Sequence, residues 1–418
     1  MAIALSGTEL ASDPVAAPPQ PWVWDGPDAG DLGLYVHIPF CARKCVYCDF
    51  NTYAGLEALH DRTVEALCDE IRIRGRQTNR PGLVSVFLGG GTPTLLEPDR
   101  LGQLLNAIKS SFNLAPDCEI TCEANPNSAD RRRFQTLAAG GVNRVSIGAQ
   151  SFDQAELELL GRWHDAAAIG KAVAAARQAG IDNVSLDLIY GLPSQSPERF
   201  QRSLAHALEL RPDHLSLYAL TVERGTPLAR MVRDAEVPEP DDDAAADMYL
   251  AAIEACRTAG FTHYEVANWS RTPERHASRH NRLYWRNQSW LGIGPGAHSH
   301  RRAARGRTGT SLRWWNLKAV PAYVRCLRDG TSPVAGREQV GPKLSQAESL
   351  MLGLRLLEEG VADATFRREH GMGLWERFGS VLEHLMAKGL LRFESERILL
   401  THRGLLFHNR VAEALLPS

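Results

Sequence analysis

The chain has 418 residues, of which 44% are hydrophobic and 23% charged, and its formal net charge is −2. This composition is typical of a soluble globular protein, and the length predicts two or three domains, or one barrel with additions. The near-neutral charge argues against nucleic-acid binding through the overall electrostatic field. No apolar run approaches the length of a membrane span.

The N-terminus and the cysteine content indicate the compartment. The sequence MAIALSGTELASDP lacks a basic start followed by a long apolar core, so it does not match a secretory signal. Residues 1–30 have no apolar periodicity, which predicts a disordered lead-in. Three of the eight cysteines lie between Cys41 and Cys48, and the other five are interpreted as buried thiols rather than a disulfide framework. We therefore expect a cytoplasmic protein.

Short β-rich segments alternate with helical segments from Leu34 onward. The predicted strands are LYVHI (34–38), VSVFL (84–88), EITCE (119–123), RVSIG (144–148), NVSLDLIY (183–190) and HLSLYAL (214–220). The predicted helices cover about 57–74, 98–111, 128–139, 165–179 and 197–209. Six βα units predict a parallel sheet with helices outside it, which is an α/β fold.

The positions of the polar residues decide between an open wound sheet and a barrel. They follow several different strands: Gly-Gly-Gly-Thr comes after the second, Glu123 ends the third and Gln150 follows the fourth. Barrels carry functional groups at the C-terminal ends of several strands, whereas a nucleotide-binding wound sheet concentrates them after the first. We therefore predict a partial (β/α)6 barrel over residues 31–270.

The remainder of the chain changes character twice. Residues 271–344 are predicted to form a basic and aromatic extension. Residues 345–418 show two or three helices, a hairpin and a last amphipathic helix, which predicts a winged-helix-like C-terminal domain. Nine Arg and Lys residues there are balanced by ten Asp and Glu, so we interpret this domain as a packing or docking unit rather than a DNA-binding one.

Cys41, Cys45 and Cys48 follow the first predicted strand with the spacing C-x3-C-x2-C. Cysteines close in sequence hold iron–sulfur clusters, and this spacing lets one loop provide three corners of a cube. Three cysteine ligands leave one iron of the cube without a protein ligand. A free coordination position indicates chemistry at the metal, as it does when catalytic zinc sites are compared with structural ones. The alternative is a zinc site with His37 or Asp49 as the fourth ligand.

The sequence HIPFCARKCVYCDF around these cysteines resembles the signature of the radical-SAM superfamily. The words YVHIPFC, GGGTPT, GAQSF and DLIYGLP resemble the oxygen-independent coproporphyrinogen oxidase group, which includes the HemW haem chaperones. The resemblance covers about residues 33–300, and the winged-helix tail fits it. It implies a [4Fe–4S] cluster whose open iron is chelated by S-adenosylmethionine (SAM), the source of a 5′-deoxyadenosyl radical.

The same resemblance implies a SAM pocket on the barrel rim. Glycines allow close approach of the backbone to a ligand, and their N–H groups are expected to hold the SAM carboxylate. The loop GIGPGAHS (292–299) is expected to lie beside SAM. For each polar residue alone, a satisfied group of the barrel wall is the alternative. The predicted SAM contacts are Tyr35, Gly90, Gly91, Thr92, Glu123, Gln150, Arg162, Asp187 and Ala219.

A second candidate site lies in residues 271–313, which contain ten Arg and one Glu together with several His and aromatic residues. Arg can pair with porphyrin propionates and His can ligate haem iron, although basic and aromatic residues together also fit RNA. HNRLYW (280–285) matches the H-N-x-x-Y-W word of the HemW group. We predict His280 as a haem ligand, with a structural hydrogen-bonding role as the alternative.

Three functions fit these features: a haem chaperone, a coproporphyrinogen oxidase and an RNA-modifying radical-SAM enzyme. Phe50 stands where the oxidases carry a further cysteine, which favours the chaperone. The overall charge and the lack of an appended RNA-binding domain disfavour RNA. We predict a protein that carries a [4Fe–4S] cluster, SAM and haem, has no coproporphyrinogen oxidase activity and has no assigned catalytic residue.

The expected partners follow from this prediction. They are haem, haem-accepting proteins with respiratory proteins among the candidates, and an electron donor such as flavodoxin or ferredoxin. No nucleic-acid partner is expected. Contact with a membrane through the haem acceptor is the alternative to a purely cytoplasmic location. The sequence makes no prediction on whether SAM is turned over.

Overall fold

Six parallel strands form the centre of the computed structural model, which describes residues 31–302 and 311–417 and so leaves the predicted lead-in outside the described residues. The strands are β1 (Leu32–Ile38), β2 (Gly82–Gly90), β3 (Asn113–Ala124), β4 (Arg144–Gln150), β5 (Asn183–Tyr190) and β6 (His214–Ala219). Each strand pairs in parallel with the next one along the chain. Within the described residues β6 does not pair with β1, so the predicted partial barrel is confirmed.

Eight helices connect and cover these strands within the described part of the barrel. They are α1 (His60–Gln77), α2 (Pro98–Ser111), α3 (Arg131–Ala139), α4 (Gln154–Leu159), α5 (Ala166–Gln178), α6 (Pro197–Glu209), α7 (Pro227–Arg233) and α8 (Asp242–Thr258). Side-chain caps at Asp130, Asp165 and Ser196 begin α3, α5 and α6, because each oxygen accepts an otherwise unpaired backbone N–H. None of the described helices has both the length and the apolar character needed to cross a membrane.

Further strands extend the sheet on both sides. Beyond β6 lie two short antiparallel strands, β8 (Asn268–Ser270) and then β7 (Thr262–Glu265). Beyond β1 lies β9, parallel to it, followed by antiparallel strands, so residues 289–340 supply four strands to the barrel sheet. These elements are α9 (Pro273–His276), α10 (Arg279–Trp285), β9 (Ser289–Ile293), β10 (His298–Arg301), β11 (Ser311–Asn316), α11 (Val320–Arg328) and β12 (Val334–Val340).

The C-terminal domain combines helices with a small three-stranded sheet, as predicted for a winged-helix-like fold. The hairpin of β14 and β15 turns through Ser395 and Glu396, both with positive φ, the geometry of a tight two-residue hairpin turn. The elements are α12 (Pro342–Gly353), β13 (Val361–Ala362), α13 (Asp363–His370), α14 (Leu374–Ala387), β14 (Leu391–Glu394), β15 (Arg397–Leu400), α15 (His402–Leu406) and α16 (His408–Leu415). One continuous apolar core joins this domain to the barrel.

Ion pairs also join the basic segment to the C-terminal domain, and we call these contacts the interdomain seam. The Arg286 and Glu359 side chains lie 2.8 Å apart, and Arg302 and Glu369 lie 2.7 Å apart. The pairs are Arg282 and Arg286 with Glu359, Arg302 with Glu369, and Arg313 with Glu348. The interpretation of these arginines as propionate partners is therefore corrected: their charge is already matched by carboxylates within the protein.

Candidate cofactor-binding site

A cavity of about 1070 Å³ opens at the C-terminal ends of the parallel strands and reaches the C-terminal domain. Most of the side chains predicted from the sequence line it, although their contacts with SAM stay predictions. Tyr35 and His280 do not line it. The predicted residues on its wall are Cys41, Cys45, Cys48, Gly90, Gly91, Thr92, Glu123, Gln150, Arg162, Asp187 and Ala219.

The three cysteines lie on one loop that crosses the mouth of the cavity. Backbone hydrogen bonds hold this loop, from Cys41 N–H to the Tyr53 carbonyl at 3.0 Å and from Cys48 N–H to the Cys45 carbonyl at 3.3 Å. All three thiols are partly exposed, whereas four of the other cysteines are buried and Cys326 is partly exposed. The structure therefore separates accessible thiols on one loop from thiols that pack mainly as small apolar groups.

Side-chain donors surround the loop sulfurs. Thr92 Oγ1 lies 3.8 Å from Cys41 Sγ, and Arg162 Nη1 lies 3.4 Å from Cys45 Sγ. Burial raises the pKa of the Cys41 thiol, so the ligand-free loop does not itself favour the thiolate. Positive and hydroxyl donors at these distances stabilise sulfur once it carries negative charge, as it does when it binds iron.

The arrangement fits a cluster better than a single metal ion. In the described ranges, no three His, Cys, Asp or Glu side chains gather around one ion. In an iron–sulfur cube each cysteine binds a different iron, so the ligands need not converge on one point. His37, the alternative zinc ligand, has both ring nitrogens engaged, with Tyr35 OH at 2.9 Å and the Asn51 carbonyl at 3.0 Å. The geometry gives no support to the zinc alternative.

The glycine loop after β2 is built for close approach of two backbones. A Cβ on Gly91 would lie 2.5 Å from the Phe40 carbonyl oxygen, so any larger residue would displace the start of the cysteine loop. The expectation of free N–H groups for the SAM carboxylate is wrong. Gly90 N–H donates to Glu123 at 2.9 Å, Gly91 N–H to the Ile38 carbonyl at 2.8 Å and Thr92 N–H to the Phe40 carbonyl at 2.7 Å.

Glu123 and Asp187 place two carboxyl groups on the inner wall of the barrel. Burial raises the pKa of Glu123 to about 7, although its bond from Gly90 N–H opposes the shift. Burial likewise raises the pKa of Asp187, whose two oxygens accept from Ser146 Oγ at 2.9 and 3.0 Å. Buried carboxyls with raised pKa values that face a cavity are typical of binding sites, because a ligand can supply the missing hydrogen-bond donors.

Gln150 ends β4 with a left-handed backbone, at φ +66°, next to a register irregularity between β4 and β5. Such a conformation is costly for a residue with a side chain and is concentrated at functional sites. Arg162 lies beside it and donates from Nη2 to the Gly148 carbonyl at 2.6 Å. This bond orients the guanidinium between β4 and the Cys45 sulfur.

His280 does not reach the cavity. Its ring is buried, with Nδ1 2.9 Å from Ser85 Oγ and Nε2 2.9 Å from Tyr284 OH. Burial lowers its pKa to about 3, so the ring is neutral, but neither nitrogen is free to bind iron. The geometry therefore contradicts the haem-ligand role and matches the structural alternative. Asn281, the next residue along the chain, faces the cavity.

The GIGPGAHS loop also lies away from the predicted position. Gly294 N–H donates to the buried Glu70 carboxylate at 2.9 Å, and a Cβ on Gly296 would meet the Asn51 amide at 2.6 Å. Asn51 in turn donates to the Pro295 carbonyl at 3.0 Å. The loop therefore contacts the segment that follows the cysteines, and it does not line the cavity.

The sequence interpretation missed several polar residues on the cavity wall, among them Arg144, Asn281, Arg355 and His408. Alternation along the strands could have found the first, because Arg144, Ser146, Gly148 and Gln150 point to the same face of β4 and all line the cavity. No comparable signal exists for the others. The fold brings Arg355 and His408 to the cavity from the distant C-terminal domain.

Comparison with known proteins agrees with this arrangement. The model of the radical-SAM superfamily matches residues 35–207, and that of the HemN C-terminal domain matches residues 347–407. The haem chaperone HemW of Mycobacterium tuberculosis is 41% identical over 391 residues, which are 92% of this chain and 95% of that protein. The chain belongs to the HemW family of radical-SAM proteins. The haem chaperone HemW of Bacillus subtilis is 33% identical over 91% of this chain and 98% of its own length.

A solved structure has the same fold as this chain. Coproporphyrinogen III oxidase (HemN) from Escherichia coli superposes with a TM-score of 0.78 over 93% of this chain and 90% of that one, at 24% identity. This likeness shows the shared fold. Membership of the radical-SAM superfamily gives the cofactors of this HemW-family chain as a [4Fe–4S] cluster and SAM, which the loop and cavity fit.

Proposed function

We propose that this protein binds haem and delivers it to acceptor proteins. The observation that carries the proposal is the 41% identity, over 92% of the chain, to a protein described as a haem chaperone. The cavity supports it, because its volume of about 1070 Å³ lies at the upper limit of the roughly 300–1,000 Å³ typical of sites for one small ligand. This volume leaves space for a second ligand beside SAM.

Decarboxylation of coproporphyrinogen is the alternative function, and we infer that it is absent. The likeness to the oxidase HemN concerns the fold. Phe50 occupies the position where the resemblance to the oxidases implies a further cysteine, and this residue is 47% exposed and lines the cavity. The RNA-modifying alternative loses its main support, because arginines that suggested it are paired with carboxylates in the interdomain seam.

We infer that Cys41, Cys45 and Cys48 hold the cluster and that the rim residues hold SAM. Bound together, these cofactors supply reductive cleavage of SAM to a carbon-centred radical. Glu123 is positioned to accept from an amino group, and Asp187 to accept from ribose hydroxyls. Arg162 keeps positive charge beside the Cys45 sulfur, 3.4 Å away. Tyr35 acts indirectly, because its hydroxyl contacts the ring of His37, which packs against Gly90 of the glycine loop.

We infer two classes of protein partner. The first is the haem-accepting protein, with respiratory proteins among the candidates. The second is an electron donor such as flavodoxin or ferredoxin, because the cluster must be reduced before SAM can be cleaved. A cytoplasmic location with membrane contact through the acceptor is the proposal that accommodates both.

The test is anaerobic reconstitution of the cluster followed by haem titration with and without SAM. We expect a saturable Soret band at one haem per chain. In parallel, the reconstituted protein is assayed for loss of coproporphyrinogen III, with the Escherichia coli oxidase as positive control. We expect no turnover while the positive control is active. Steady conversion of coproporphyrinogen to protoporphyrinogen, or the absence of a saturable Soret band, contradicts the proposed function.

A further inference from the structure

We call the part of the cavity that is lined by Arg144 and by the C-terminal domain the inner compartment. The rim of the barrel forms the outer part of the cavity, around the cysteine loop and Gln150. The inner compartment is closed by the C-terminal domain, through Arg355 just after α12 and through α16. Its wall is mostly apolar on this side. The apolar side chains are Met351, Leu352, Leu354, Leu400, Val411 and Ala412.

Arg144 brings an unbalanced charge to this compartment. Its side chain is only 2% exposed, and no carboxylate of the described residues lies within ion-pairing distance of it. Nη2 contacts His214 Nδ1 at 3.2 Å, and Nε has no hydrogen-bond partner in the described ranges. Since the arginine must donate to Nδ1, His214 is neutral. A buried guanidinium without a carboxylate is costly unless a ligand supplies an anion.

Arg355 is held rigidly on the opposite, C-terminal side. Its guanidinium lies over the Trp285 ring at 4.2 Å and contacts Glu265 and His408, each at 3.3 Å. Nε nevertheless remains without a partner among the described residues. The ion pair with the buried Glu265 already matches the charge of Arg355, so this guanidinium joins the C-terminal domain to the barrel and shapes the wall of the compartment. Asn281 adds a side-chain amide on the same wall.

Arg144 lies at the opposite end of β4 from the barrel rim. Arg144 begins the strand and Gln150 ends it, six residues apart. At about 3.3 Å per residue, the two Cα atoms are separated by roughly 20 Å along the strand. Glu123 and Asp187 pair with Ser146 and Gly148, between these two ends. SAM held by the rim residues would occupy the cavity from the rim to these carboxyls, and we infer a second ligand as the source of the anion that matches Arg144.

We propose that the inner compartment binds a carboxylate of a flat, apolar macrocycle, with Arg144 as the carboxylate partner and the side chains of the C-terminal domain against its face. The inference rests on the proposed haem-carrying function and names the haem site. The carboxylate that pairs with Arg144 is a propionate of the macrocycle, and the SAM carboxylate is the other source that the experiment must separate.

The experiment titrates the cluster-loaded full-length protein with ferric haem, with haem dimethyl ester and with SAM. We expect Arg144→Gln to weaken haem binding about tenfold or more, since a charge-assisted hydrogen bond is lost. The dimethyl ester lacks propionate charge, so it should bind the unaltered protein weakly and be insensitive to this substitution. SAM affinity and iron content should stay within twofold of the unaltered protein.

Matched variants distinguish a specific loss of haem affinity from a general loss of folding. Arg144→Lys keeps the charge and should recover part of the haem affinity, whereas Arg286→Gln removes an arginine of the interdomain seam and should leave it unchanged. Equal binding of haem and its ester to the unaltered protein overturns the inference without any variant. A loss of SAM affinity in Arg144→Gln with haem affinity preserved assigns Arg144 to SAM and also overturns it. Absence of haem binding to the unaltered protein overturns this inference together with the proposed function.

Discussion

The inner wall of the barrel and the interdomain seam both contain arginine, but they use it differently. In the seam, Arg286 and Arg302 lie within 2.8 Å of carboxylates of the C-terminal domain. On the barrel wall, Arg144 is more deeply buried than Arg286, and no described carboxylate is close enough to pair with it. A cation with an internal partner joins elements of the fold, whereas a buried cation without one is available to a ligand.

The difference shows why local charge density misleads. Ten arginines within residues 271–313 indicated a binding surface for an anion. Five of them pair with acidic residues that lie far along the chain, so their charge is matched within the protein: Arg279, Arg282, Arg286, Arg302 and Arg313. The single arginine at the start of β4 carried no such local signal, yet it faces the cavity.

The largest expected effect concerns the cysteine loop. Replacing Cys41, Cys45 and Cys48 together by Ala should abolish the cluster, because no other described thiol lines the cavity. Iron and acid-labile sulfide analysis after anaerobic reconstitution, with the visible absorbance, provides the measurement. Single Ala substitutions of the other five cysteines are the controls. Loss of iron from any of those five would show that the ligand set is wrong.

A substitution at Asp187 tests the predicted SAM contacts on the barrel rim. Asp187→Asn preserves the shape of the side chain and removes its charge, so SAM affinity should fall by about tenfold or more, equivalent to roughly 1.5–3 kcal/mol. Calorimetric titration of the cluster-loaded protein measures it. Asp117→Asn is the matched control, because Asp117 pairs with Arg279 at 2.9 Å outside the cavity. Equal affinities of the two variants would remove Asp187 from the pocket.

Sequence patterns predicted the fold and the rim because both depend on local chemistry. Strand and helix periods, caps such as Asp165 and the spacing of the cysteines are encoded within short segments. The functions of His280 and of the seam arginines depend on partners far away in the chain: Ser85 holds the ring of His280, and Glu359 neutralises Arg286. Arg355 reaches the cavity only because the C-terminal domain packs against it.

A pH experiment on Glu123 gives a smaller effect. Its pKa is raised to about 7 in the ligand-free protein because the carboxyl is buried. The ionised form accepts a stronger, charge-assisted bond from the SAM amino group than the protonated form does, so affinity should be full above pH 7 and fall as the pH decreases through 7, by at most about tenfold per unit. Titrations between pH 6 and 8 of the unaltered protein and of Glu123→Gln measure this. SAM titrates identically in both, so their ratio isolates Glu123, and a flat ratio would contradict the assignment.

The smallest effect is expected at the interdomain seam. Glu359 and Arg286 are both more than one third exposed, so the pair should contribute only about 0.2–1 kcal/mol to the free energy of unfolding. Glu359→Gln should lower the midpoint of thermal unfolding slightly, and high salt should reduce the difference because it screens exposed charges.

The variant Glu359→Gln also tests whether haem binds at the barrel wall or at the interdomain seam. Glu359→Gln releases Arg282 and Arg286 from their carboxylate partner, so it creates free cations in the segment that the sequence suggested for propionates. If the haem site is the inner compartment, haem affinity should not change, because these arginines do not line the cavity. An increase in haem affinity would mean that the released guanidinium groups reach the propionates, and the seam would then belong to the haem site after all.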